Sequence, residues 1–574
     1  MRLYNRIVMK QTLTHRTKIL LFLLILGLSL VHCFFSIDWD EEYTMLVAGQ
    51  IAQGYGMFDG IWSSHQTSAL FLAPLIALWR FCFGNQSLVL GVRVLSVLAV
   101  FIAALIIYYV LRSFLDDTVS FLIAVTFFLL LPRGTISLEY GVLQMSFVSL
   151  TAVFLLAAFH TGQRRKYIIL SALAWSAAVL CYPFLVFVTP VILIGILLFQ
   201  KADRCRACTA FVIICLLCGG LFLLSVIFRT SADQFLFTLK AIVSDPRHSG
   251  GFLFRITGSA VLDLLKKLII LLGGCVLFLG PAYPLVRKTV RNDRTAALRL
   301  LCLLSPFASY ALVMLGGNLT GVYRTGCMGI AVGFVLFFLA ALIAGIRNHS
   351  GEELWVCLFG FAVYLAAFIQ GNLSFKDYVN YLYLPLFLLI YQTWKTVQDC
   401  RNQKTAVTMF SLVMIAFLSS LLYTKAFCVR IDGVGYSTVF ENRRNTAGSL
   451  YHGVSLYPDQ GRVFAQKEQV IDQYTEHDDV ILLAEANVSL NFAANGKYIF
   501  VCALDGVVSD MDRDPRWIQY MEAHSLPDKV FIDKEAYPDW NDFFQGETGS
   551  FLLEHKNIGS IEETDVYHVV SLED

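Results

Sequence analysis

From Ile19 to Tyr423 the chain is one apolar run after another, with lysines and arginines gathered in the short segments between them. An apolar run of roughly 17–25 residues is what a helix needs to cross the hydrocarbon of a bilayer. So many of them in series cannot be buried in a water-soluble core. Composition agrees: 57% of the 574 residues are hydrophobic and only 15% are charged, where a soluble chain carries about a quarter. Mean hydropathy is +0.64. These features exclude a soluble enzyme, a disordered chain and a secreted disulfide scaffold. The net charge of +1 offers no basic surface for nucleic acid. Most of the fourteen cysteines, Cys181, Cys275 and Cys357 among them, lie inside apolar runs and act as small hydrophobes. The pairs Cys205/Cys208 and Cys215/Cys218 stand too close together for a zinc ribbon.

The charged loops orient the spans. Lys10, Arg16 and Lys18 precede the first apolar run, Ile19 to Phe35, and no small residues stand where a signal peptide would be cleaved. The first span is therefore expected to remain, with the N-terminus in the cytoplasm. Further spans are expected near 87–111, 118–132, 139–159, 167–181, 183–199, 207–228, 262–286, 298–316, 326–346, 353–370, 378–394 and 405–424, about thirteen in all. If 67–83 lies along the membrane and the chain breaks at Tyr182-Pro183, every cation-rich loop falls on one side. These are Arg164-Arg165-Lys166, Lys201/Arg204/Arg206, Arg287/Lys288/Arg291/Arg294 and Lys395/Arg401/Lys404. Counting 67–83 as a span inverts them all and violates the positive-inside rule. The expectation is a multi-pass protein whose C-terminal part is extracytoplasmic, in the inner membrane if the source is bacterial.

That C-terminal part differs in character. From Lys425 onward there are 26 acidic against 12 basic residues. Val480–Ala484, Tyr498–Cys502, Lys529–Asp533 and Val566–Val570 read as buried strands, with helices near 465–476 and 514–524 between them. The expected organisation is a membrane domain over 1–424 and a small α/β domain over 425–574.

Four carboxylates, Asp38, Asp40, Glu41 and Glu42, crowd the mouth of the first span, where charge is costly unless it is used or well hydrated. Helix-like Thr44 to Tyr55 follows, closed by Gly54 and Gly56. After it come Gly60-Ile61-Trp62-Ser63-Ser64-His65-Gln66 and the interfacial run.

This order resembles the first outer loop of the GT-C type glycosyltransferases that use polyprenyl-phosphate donors, the family of protein O-mannosyltransferases and lipid A aminoarabinose transferases. Asp40-Glu41-Glu42-Tyr43 matches the opening Asp-Glu-x-x-Tyr, and Gly60 to His65 matches the later part. The family's Lys-Pro-Pro is replaced by Gln66-Thr67-Ser68, which removes a cation that contacts the donor phosphate in some members. Val92-Arg93-Val94-Leu95-Ser96 and Tyr381-Leu382-Tyr383-Leu384-Pro385 resemble two further family segments. Arg133 and Glu139 fall where the family has a basic residue and a second carboxylate. Arg247, His248 and Arg255 flank a Gly250-Gly251 loop like the one that covers the donor.

The resemblance implies a fold of about thirteen membrane helices, with interfacial helices in the first outer loop and a trailing α/β domain. It implies inverting transfer of a sugar from an undecaprenyl- or dolichyl-phosphate donor to an acceptor hydroxyl on a glycan, lipid or protein. The departing phosphate monoester needs cations rather than a proton donor, and the hydroxyl needs a base. Asp40 is the expected base, with Glu41 and Glu139 orienting it or the acceptor. His65 and Gln66 are expected at the substrate, and Arg133, Arg247, His248, Arg255 and Lys376 are the candidates for the phosphate. No cofactor is expected, and nothing in the residues calls for a divalent metal. Two other readings stand beside this one. A flippase of lipid-linked sugars predicts charges along a mid-span path, whereas the run centres here are nearly free of them. A non-catalytic glycolipid-binding relative is consistent with the loss of Lys-Pro-Pro but gives Asp40 no task.

Overall fold

The computed structural model describes residues 14–63, 65–200, 202–243, 256–289, 294–319, 332–371, 374–400, 402–431, 435–441, 443–446, 448–501, 511 and 514–574. The first two-thirds of the chain is helical. In order come α1 (His15–Leu30), α2 (Trp39–Ala52), α3 (Ala73–Phe83), α4 (Leu88–Leu111), α5 (Asp117–Leu129), α6 (Tyr140–His160), α7 (Arg164–Cys181) and α8 (Thr189–Phe199). They are followed by α9 (Arg204–Ile227), α10 (Ala232–Val243), α11 (Gly258–Thr289), α12 (Arg294–Leu319), α13 (Gly333–Arg347), α14 (Gly351–Gln370), α15 (Tyr383–Asp399) and α16 (Gln403–Phe427). A helix stands at each position where a span was expected. On length and composition, 7 helices among the described residues are apolar enough to cross a membrane. Several carry bare apolar faces, such as Leu216 at 69% and Leu221 at 67% exposure on α9. Only lipid can cover such faces, and this is an integral membrane protein.

The chain breaks where proline demands it. Tyr182 leaves helical geometry (φ −143, ψ 87), and a short 3-10 segment, Pro183–Val188, separates α7 from α8. The interfacial run is likewise divided, into one turn at Gln66–Ala69 and the eleven-residue α3. At 1.5 Å per residue, α3 reaches only about half-way across hydrocarbon, and Phe81 on it is 89% exposed. The segment after α9, where no span is expected, contains α10. Its Phe235 and Phe237 rings pack on Phe58 and Trp62 of the first loop.

Three sheets follow α16 among the described residues. A hairpin of β1 (Cys428–Ile431) and β2 (Gly435–Thr438) comes first, then the two-residue pair β3 (Arg444–Asn445) and β4 (Ser455–Leu456). The main sheet is built from β5 (Val480–Ala484), β6 (Lys497–Ile499), β7 (Lys529–Asp533), β8 (Asn557–Glu563) and β9 (Tyr567–Glu573), in the order β6-β5-β7-β9-β8. The first three strands are parallel and the last two antiparallel. Helices α17 (Pro458–Tyr474) and α18 (Arg516–Ala523) fall close to where periodicity placed them. The edge strand β8 is mostly exposed and mostly polar, so it carries too little apolar alternation to be read from sequence.

The sheet domain is joined to the first loop by more than the chain connection. Ser36 donates its amide N–H to the Ser455 carbonyl at 3.0 Å, and the Asn85 side chain donates to the Phe492 carbonyl at 2.6 Å. On α2, Glu42 accepts from the Tyr451 hydroxyl at 3.2 Å and from the Ser489 amide at 3.4 Å. About two turns further along, Gly49 lets the Phe492 ring lie where a Cβ would stand, only 2.3 Å from it.

Candidate functional site

The site begins with a helix cap. Asp38 sits in extended geometry before α2, and its carboxylate accepts from the Asp40 amide at 3.0 Å. This cap starts the helix at Trp39, earlier than the sequence suggested, and places Asp40, Glu41 and Glu42 in its first turn. Carboxylates are favoured there by the partial positive charge of the exposed N–H groups. Successive helical positions point in different directions, so the three acids part company.

Glu41 turns inward. It is buried and pairs with Arg93 of α4, and its other oxygen accepts from the Ile136 and Ser137 amides, both at 3.2 Å. Arg93 also donates to the carbonyls of Cys33 and Phe35, at 3.3 and 3.1 Å. One buried ion pair thus ties the end of α1, the start of α2, α4 and the loop ahead of α6 into a single frame.

Asp40 turns toward that loop. Its Oδ2 accepts from Arg133 Nη2 at 2.7 Å and from Arg430 Nη1 at 2.6 Å. Arg430 belongs to β1, and its Nε lies 3.3 Å from Asp38 Oδ2. The Asp40 side chain is 27% exposed, against 15% for Arg133, 11% for Arg430 and 0% for Glu139, which makes it the most open member of the cluster.

Glu139 caps α6, accepting from the Gly141 and Val142 amides, both at 2.8 Å, while Arg133 Nε stands 3.7 Å from its carboxylate. Gly141 permits this crowding, since a Cβ there would meet Glu139, Arg133 and the Tyr381 hydroxyl, each within 2.9 Å. The Arg133 guanidinium lies over the Tyr140 ring, 4.5 Å from its centre. The His65 ring stacks on the same tyrosine at 3.8 Å, nearly coplanar at 4°.

Electrostatics separates the two carboxylates. Burial alone would raise the Asp40 carboxyl, but Arg133 and Arg430 outweigh it and hold the group below the usual carboxylate range. At Glu139 burial wins over Arg133 and the capping amides and pushes the carboxyl up to about 7. An acid held ionised by two arginines and one raised toward neutrality thus lie on either side of Arg133. Such divergence is the usual mark of a site with chemistry to do.

No family model matches the chain, and no curated protein does. Among solved structures it is similar to ArnT from Cupriavidus metallidurans bound to undecaprenyl phosphate, with 11% identity and a TM-score of 0.46. That likeness covers 96% of this chain and 97% of the other. It is similar also to the archaeal oligosaccharyltransferase AglB from Archaeoglobus fulgidus in complex with an inhibitory peptide and a dolichol-phosphate. There the identity is 13% and the TM-score 0.46, over 92% of this chain and 72% of that one. The apo oligosaccharyltransferase of Archaeoglobus fulgidus gives 12% identity and a TM-score of 0.49, over 91% and 70% of the two chains.

Of the residues singled out in the sequence, Asp40, Arg133, Glu139 and, through Tyr140, His65 come together. Glu41 lies behind them, in the frame. Gln66 is buried within its own loop, accepting from the Phe58 amide at 2.9 Å and donating to the Ser63 carbonyl at 3.1 Å. Lys376 pairs instead with Asp263 of α11, at 2.7 Å. Arg247, His248 and Arg255 lie outside the described residues. Among the described residues no group of three or more His, Cys, Asp or Glu side chains could hold a metal ion. The residue that sequence reading missed is Arg430. It follows the last apolar run and sits in no recognisable motif, so only its position in space reveals it.

Proposed function

We propose that this protein transfers a sugar from a polyprenyl-phosphate donor to an acceptor hydroxyl at the extracytoplasmic membrane surface, inverting the anomeric centre. The observation that carries the reading is the meeting of the partly open Asp40 carboxylate with two guanidinium groups, Arg133 and Arg430, at the end of the first span. As the glycosidic bond to phosphate breaks, the phosphate gains negative charge. Preorganised guanidinium groups in a poorly hydrated site stabilise that charge strongly. The attacking hydroxyl gives its proton to Asp40. While both arginines are turned on Asp40 it is a weak base. A phosphate arriving beside Arg133 takes up part of that hydrogen bonding and restores the carboxylate's basicity.

In this reading Glu41 holds the loop that carries Arg133, and Gln66 holds the first loop in shape. Glu139 and His65 border the acceptor side. Lys376, Arg247, His248 and Arg255 are further candidates for the donor, and the acceptor is a glycan, lipid or protein hydroxyl. The resemblance of the Asp40–His65 segment to the polyprenyl-phosphate-dependent glycosyltransferases supports the choice of donor, and the cation-rich loops support the choice of side.

The test is transfer of radiolabelled sugar from polyprenyl-phosphate donors in membranes containing the wild type or Asp40→Asn at equal abundance. Loss of a general base costs about 10²–10⁴-fold, so transfer by Asp40→Asn should fall at least a hundredfold. Undiminished transfer by that variant would remove Asp40 from the mechanism.

A further inference from the structure

We infer that Arg430, supplied by the first strand of the C-terminal domain, is a positioning residue of the transfer site, and that the site is complete only with that domain docked. The inference rests on the reading of function above and adds a residue from outside the membrane bundle.

A single guanidinium reaches three groups on two separate segments. Arg430 Nη1 donates to Asp40 Oδ2 at 2.6 Å and to the Arg133 carbonyl at 3.1 Å, and Nε lies 3.3 Å from Asp38 Oδ2. Asp38 and Asp40 are the cap and first turn of α2, and Arg133 belongs to the loop ahead of α6. Holding both at once needs a planar, rigid fork of donors, which arginine has and lysine lacks. Both arginines meet the same Asp40 oxygen. Among the described residues no hydrogen bond reaches Oδ1, which makes it the oxygen aimed at the acceptor. The guanidinium thereby fixes which edge of the carboxylate does the chemistry.

The backbone beneath Arg430 is fixed as well. Its strand starts immediately after α16 and pairs Arg430 with Tyr436 across the hairpin. The rest of the domain grips α2 two residues beyond Asp40, through Glu42 with Tyr451 and Ser489. Any shift of the domain relative to α2 would therefore move Arg430 and Asp40 together or pull them apart. A misplacement on the order of 1 Å at such a site costs about 10²-fold in rate.

Among the described residues, the charged and titratable groups around Asp40 are Asp38 on its own segment, Arg133, Glu139 and Tyr140 from the loop and start of α6, and Arg430 from β1. Among the described residues, replacing Arg430 by Gln leaves Arg133 as the one cation on Asp40. The acid limb of kcat should then move to higher pH, because the carboxylate is more easily protonated.

The experiment measures kcat and KM for a radiolabelled polyprenyl-phosphate sugar from pH 8 down to the lowest pH at which the protein stays folded. It uses full-length wild type, Asp40→Asn, Arg430→Gln and Arg430→Lys, with limited proteolysis to report domain docking. For Arg430→Gln we expect kcat about 10–100-fold lower, a KM within about threefold of wild type, and the acid limb moved upward. Arg430→Lys, which keeps the charge without the fork, should return the limb toward its wild-type position with kcat in between. An Arg430→Gln enzyme with wild-type kcat and pH profile would overturn the inference while leaving the function intact. So would a raised KM at unchanged kcat, which marks a donor ligand. Lost activity with an unmoved limb and a protease-sensitive domain would overturn it too, since that marks a purely structural contact. A wild type without transfer, or an Asp40→Asn variant equal to it, overturns the reading of function and this inference with it.

Discussion

Arg430 and Asp40 are separated by 390 residues of sequence and by 2.6 Å in space. The contact joins the first extramembrane helix of the chain to the first strand after its last membrane helix. Every described membrane helix after the first lies between them in sequence. The two ends of the helical bundle therefore close on each other at the site, and the bundle between them sets the distance.

The buried Glu41–Arg93 pair is expected to matter for stability. Removing one partner leaves an uncompensated charge out of water, at a cost of about 3–5 kcal/mol. Glu41→Gln and Arg93→Met should each lower the yield and melting temperature of the detergent-solubilised protein. The double variant should recover much of the loss, because no orphaned charge remains. Additive losses in this cycle would show that the pair is not coupled.

The pH dependence of stability should carry the mark of Glu139. Its carboxyl is raised from the model-peptide value of 4.5 to about 7 in the fold. Its contribution is therefore fully present below about pH 4.5 and is lost as pH rises through 7, since the unfolded chain releases the proton first. Asp533 is raised to about 6, so its loss is largely complete by then, and Asp40 stays ionised throughout. Between pH 5 and 7 the melting temperature of the wild type should fall relative to that of Glu139→Gln. Parallel curves for the two proteins would contradict the assignment.

The seat of the C-terminal domain on α2 can be disturbed without touching the site. A leucine at Gly49 would drive into the Phe492 ring, and overpacking of this kind costs about 1–3 kcal/mol. Gly49→Leu should make the segment after Phe427 cleave faster under limited proteolysis and should lower transfer, while the membrane helices remain folded. Unchanged cleavage would mean that the ring moves aside freely.

Much of this molecule is local and so was legible early. Hydropathy marks the membrane helices because lipid selects for it residue by residue. Pro183 breaks α7 from α8 wherever it is placed. The strands Val480–Ala484 and Lys529–Asp533 are built on continuous apolar runs, Val480–Ala484 and Val530–Ile532, that favour burial. The carboxylates from Asp38 to Glu42 stand out because charge at the end of a span is rare. Local pattern could not separate Asp40 from Glu41, which are chain neighbours of like chemistry. Only the fold turns one into the frame with Arg93 and leaves the other open between two arginines. The same holds for Gln66, which spends both ends of its amide on its own loop, and for Lys376, drawn off by Asp263. Arg430 had no sequence signature at all. Periodicity records which face of an element is buried, whereas a partner hundreds of residues away is chosen by how the whole bundle packs.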